Sequence, residues 1–127
     1  MKKGYWLPLL VLSGILLFSL WTGRTMERHT TRWREQLRQV DALAQAENWP
    51  EATASLVEGY RDWSSHQTWL HILAKHDTVD GAETMYCRAI AFALAREPSE
   101  FRAELADLEA QLGLLAETEH LNVQNVL

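Results

Sequence analysis

A single cysteine, Cys87, stands in a chain of 127 residues, so no internal disulfide can form and stability must come from a packed core. It lies far beyond the apolar N-terminal run, which leaves no lipid-attachment cysteine there. The six glycines are scattered, excluding a glycine-rich phosphate loop. Period-two alternation occurs only in the last seven residues, so no sheet is expected. No serine or cysteine stands beside a plausible base in a recognised arrangement. No catalytic residue is therefore assigned, and the chain reads as non-enzymatic.

Charge is absent from residues 4 to 23, "GYWLPLLVLSGILLFSLWTG". The run from Tyr5 to Trp21 would reach about 25 Å as a helix, slightly short of a hydrocarbon core of about 30 Å. Tyr5, Trp6 and Trp21 flank it, where amphipathic rings prefer the headgroup level. Lys2 and Lys3 before such a run also suit a secretory signal peptide. An Ala-x-Ala-like exit is lacking, however, since a cut after Gly23 would place Trp21 where a small residue is required. Residues 1–23 therefore read as an uncleaved signal anchor meeting membrane lipid through residues 5–21, with a cleaved signal as the alternative.

Beyond the anchor, residues 24 to 127 hold ten basic and seventeen acidic side chains. An acidic body of this kind is not expected to bind nucleic acid, whose backbone requires clustered cation. The positive charge is concentrated in Arg24, Arg28, Arg32, Arg34 and Arg38. Arg24, Arg28 and Arg32 are candidates for lipid-headgroup contact, the alternative being ion pairs within the domain.

Residues 24–127 divide into four helical segments, at about 24–47, 50–75, 78–96 and 99–118. Met26, Thr30, Trp33, Leu37, Val40 and Ala44 form the first seam, and without Pro or Gly in 24–47 this helix can continue directly out of the membrane. "ENWPEA" supplies a break in which Asn48 and Glu51 have capping-box spacing and Pro50 suits a first turn. Leu56, Tyr60, Trp63, Gln67, Leu70 and Ala74 make the second seam. Asp77 or Thr78 is expected to cap the third helix, whose seam is Val79, Ala82, Tyr86, Ala89 and Ala93. After "REPSE", Phe101, Leu105, Leu108, Leu112 and Leu115 make the fourth. The expected fold is all-α: an N-terminal transmembrane helix followed by an antiparallel up-down four-helix bundle.

His66, His71 and His76 recur every five residues. On one continuous helix they would point to three different faces, so they are not expected to share an ion. His76, Asp80 and Glu83 have helical spacing but suit hydrogen bonding at a helix start better than metal. Glu117-x-x-His120 is only half of a carboxylate-bundle iron motif. No metal or other cofactor is assigned. Cys87 reads as a small buried hydrophobe. Trp49, at a turn, and Trp69, beside a seam, are candidates for partner contact.

Taken together, "MKK" before one span, "ENWPEA", Trp63, Trp69, "HDTVD" and the terminal "LNVQNVL" resemble a family of short single-span bacterial proteins known only as a domain of unknown function. Its pattern matches Trp49, Trp63, His76, Asp80, Asn125 and Leu127, while Gly81 and Ala82 depart from the bulkier residues expected after Asp80. Members are often encoded near an uncharacterised multi-span membrane protein. The resemblance thus implies a membrane partner and no reaction, and adds His76, Asp80, Asn125 and Leu127 to the candidate contacts.

The expectation is an accessory or interaction subunit for another membrane protein or for itself. An extracytoplasmic sensor or binding module for a small ligand or metal is the alternative. A literal count of flanking charge keeps the bundle inside, but a long domain translocates largely regardless of charge, and an extracytoplasmic bundle on a single-pass anchor in the cell membrane is expected.

Overall fold

The computed structural model describes residues 4–73 and 76–126, and everything regular in it is helical. Five helices follow one another: α1 Trp6–Gln45, α2 Trp49–Ser65, α3 Gln67–Leu73, α4 His76–Ala95 and α5 Pro98–Val126. Four of them pack in the cyclic order α1, α2, α4, α5. Cross-helix pairs give the direction at each seam. Arg32 meets Asp62 while Gln36 meets Ser55, and Gln111 meets Thr78 while Arg88 meets Glu104. Arg34 meets Glu109 while Arg102 meets Asp41. In each case one residue number rises as the other falls, so neighbouring helices are antiparallel.

α1 is one uninterrupted helix of 40 residues, about 60 Å long. Its first half is long and apolar enough to cross a membrane, and nearly all of it is exposed. Its second half buries Met26, Thr30, Trp33, Leu37, Val40 and Ala44. The seam extends one step further back than expected, to Thr22, whose hydroxyl donates to the Ser19 carbonyl at 2.9 Å and so enters the packed face without an unpaired donor. The expected seams of α4 and α5 are all buried.

Four local features differ from expectation. The helix expected over 50–75 breaks at His66. The Ser65 hydroxyl (2.7 Å) and the His66 ring Nδ1 (2.8 Å) both take the Asp62 carbonyl. The His66 amide therefore donates to Trp63 instead, three residues back, at 3.0 Å. Glu83 of α4 braces the break, accepting from Tyr60 of α2 at 3.1 Å and from Gln67 of α3 at 2.9 Å.

Secondly, α4 begins at His76, so Asp77 and Thr78 lie in its first turn and do not cap it. Thirdly, Asn48 occupies the N-cap position of α2, but its amide donates to Glu51 at 2.6 Å and makes no cap bond. Lastly, Cys87 is exposed on α4 and not buried. The side chains of Ala74, Glu117 and His120 lie outside the described residues.

Both turns at the end far from the apolar segment close in one way. Glu47 (φ 61°) and Arg96 (φ 55°) adopt the left-handed conformation. The next amides, of Asn48 and Glu97, then reach back five residues to Leu43 and Phe92, at 3.0 and 3.1 Å.

Candidate interaction site

The side chains with chemistry to offer gather at the end of the bundle nearest the apolar segment. Asp62, on the last turns of α2, is the centre. One of its oxygens accepts from the Trp33 indole N–H at 2.9 Å and from Arg32 at 2.8 Å. Trp33 is fully buried, so this carboxylate satisfies a donor that water cannot reach.

His29 lies among three rings. It stacks on Trp33 with centroids 5.5 Å apart, meets His66 at 4.5 Å and takes Trp69 edge-on at 5.8 Å. Its Nδ1 is buried without a partner among the described residues. Burial, then the neighbouring His66 and Arg32, hold its pKa below the ordinary value, with Asp62 pulling weakly the other way. The charged form of His29 is thus disfavoured. The His66 Nδ1 donates to the Asp62 carbonyl at 2.8 Å.

His71 of α3 and His76 of α4 make a second pair. They approach Nδ1 to Nδ1 at 2.7 Å, so the N–H of one ring must donate a hydrogen bond to the bare nitrogen of the other. Asp80 lies 3.9 Å from the far nitrogen of His71. The expectation that the three regularly spaced histidines face apart assumed one continuous helix, and it is corrected here: two meet, while His66 turns to His29. Among the described residues no group of three metal-ligating side chains converges.

The expected contact residues do not form one patch. Trp69, His76 and Asp80 lie at this end. Trp49 is at the other, half-buried with its ring edge-on to Phe101 at 5.3 Å. The side chain of Asn125 and all of Leu127 lie outside the described residues. Arg32 is occupied by Asp62, as Arg34 and Arg38 are by Glu109. Arg24 and Arg28 have no ion pair among the described residues.

Sequence reading had singled out neither His29 nor Asp62. The only signals were the four-residue spacings His29 to Trp33 and Asp62 to His66, which put each pair on one helix face.

The profile of one family matches residues 20–126, most of the chain. The chain belongs to the DUF4363 family, a domain of unknown function. The DUF4363 match takes in the bundle and starts at residue 20, inside the apolar segment, so the family covers the bundle together with the last residues of that segment. No curated protein and no solved structure matches the chain.

Proposed function

We propose that the protein is a non-enzymatic accessory subunit, anchored in the cell membrane by residues 5–21, whose bundle binds another membrane protein or a second copy of itself. The observation that carries this reading is the unbroken α1. Its apolar half is bare on every side, and its other half is one wall of the bundle. Such a helix fixes the bundle's height and orientation above the bilayer, which suits a surface meant to meet a neighbour in the same membrane. The bundle is proposed to lie outside the cytoplasm.

In-cell crosslinking followed by sizing of the solubilised chain tests the subunit reading. A defined complex or dimer is expected; a monomer with no crosslinked membrane protein refutes it. Topology is tested by adding a cysteine after Leu127 in a Cys87→Ser background, a removal made necessary by the exposure of Cys87. Labelling of intact cells by an impermeant maleimide is expected.

The contact between His71 and His76 favours a second reading, a sensor or binding module for a small ligand or metal. A metal-dependent rise in the melting temperature of the full chain, abolished by His76→Ala, would support it over the first.

A further inference from the structure

Five arginines lie between residues 24 and 38, but only Arg32, Arg34 and Arg38 have acidic partners among the described residues. Arg24 and Arg28 are both exposed. They stand four residues apart on the face of α1 that also carries the exposed Trp21, opposite the seam of Thr22, Met26 and Thr30. Arg24, Glu27, Arg28, Thr31, Arg32 and Glu35 share one exposed stripe of α1, on which the Glu35 carboxylate is taken by Arg38. Glu27 is the remaining acidic neighbour on that stripe, leaving the pair with a net charge of one positive.

The rise from Trp21 is about 4.5 Å to Arg24 and about 10.5 Å to Arg28. Helical side chains lean toward the N-terminus, so both guanidinium groups lean back toward the apolar segment, into the layer where headgroup phosphates lie. Guanidinium is also the side-chain cation whose donors match phosphate oxygens two at a time.

We propose that Arg24 and Arg28 form a binding surface for the phosphate of anionic phospholipid at the leaflet where α1 emerges. This rests on the reading of residues 5–21 as a membrane anchor. The rest of the domain is acidic and would be repelled by an anionic surface. The two arginines are the local exception, and they make that surface the preferred one.

The test uses the full chain reconstituted in phosphatidylcholine vesicles carrying trace spin-labelled phosphatidylglycerol or spin-labelled phosphatidylcholine. The wild type is expected to immobilise the anionic label in preference to the zwitterionic one. Each cation near an anionic surface is worth about fivefold in binding, so Arg24→Gln/Arg28→Gln, which removes two, should reduce the preference by up to about 25-fold. Arg102→Gln, at the far end, should leave it unchanged. Lys2 and Lys3 are constant across these variants, and both substituted positions are exposed, so far-UV circular dichroism should not change. A preference equal in the wild type and the double variant overturns the headgroup proposal alone. Failure of the chain to float with the vesicles overturns both it and the anchor reading.

Discussion

Removing the Asp62 carboxylate should destabilise the bundle by more than its exposed position suggests. The ion pair with Arg32 joins two roughly half-exposed side chains and is worth about 0–1 kcal/mol. The bond from Trp33 is different, because the indole is fully buried and Asp62→Ala leaves its N–H with no acceptor, a cost of about 1–3 kcal/mol. Against this, alanine is the better helix former by roughly 0.5 kcal/mol. The net loss should be about 1–3 kcal/mol, a fall of several degrees in melting temperature for a domain of this size.

Thermal unfolding of the full chain in mild detergent, followed by far-UV circular dichroism, measures it. Asp62→Asn keeps an acceptor for the indole and should lose less than Asp62→Ala. In a Trp33→Phe background the donor is gone, and Asp62→Ala should cost only its ion-pair share. A cost that is the same in both backgrounds would refute the assignment of Asp62 as the acceptor that stabilises the buried indole.

Other outcomes follow from local geometry. Glu47→Gly and Arg96→Gly should each raise stability by about 1 kcal/mol in the same melts, because both residues hold a left-handed conformation that glycine adopts freely. The pKa of His29 is lowered on folding, so the unfolded chain takes up a proton that the native chain refuses. Stability from this source is full above about pH 6.5 and is lost as the pH falls toward the native pKa; His29→Gln should flatten that acid limb in denaturant titrations. Burial, reinforced by Glu83, pushes the Tyr60 phenol up to about 12, and Glu83→Gln should bring it part of the way back in an ultraviolet titration.

The core was legible residue by residue because three of its seams keep helical spacing without exception, from Met26 to Ala44, Val79 to Ala93 and Phe101 to Leu115. The turns were legible in place but not in mechanism. Pro50 and Pro98 marked two restarts, yet the preceding helices, which end at Gln45 and Ala95, are closed by Glu47 and Arg96 in the left-handed conformation, where glycine is the expected signal. The break at His66 carries neither glycine nor proline. It arises from a three-way competition for one carbonyl, which residue identity at Ser65 and His66 permits but does not announce. The candidate site was hidden for a related reason, since the meeting of His71 on α3 with His76 on α4 is not what a five-residue spacing on one helix gives. Asp62 gains its importance only from the approach of α1.

On the proposed membrane reading, position along α1 sorts the possible partners. The buried seam begins at Thr22, at the edge of the apolar segment, so an apolar segment that spans the bilayer would seat the bundle on it and not tether it above. The two unpaired arginines stand within about 10 Å of Thr22 along α1, and His29 and the Trp33 that meets Asp62 stand about 10 and 17 Å from it, on the half nearer the apolar segment. Trp49 and the charged groove of about 590 Å³ lined by Arg38, Asp41, Arg102 and Glu109 lie toward the other. From Thr22 to the end of α1 is about 35 Å. A partner that reads the histidine cluster must therefore come within about 20 Å of the membrane surface, whereas one that reads only Trp49 must reach some 35 Å above it. Crosslinks that begin at Trp69 or His76 thus point to an integral membrane neighbour, and crosslinks confined to Trp49 point to a partner that rises well clear of the bilayer.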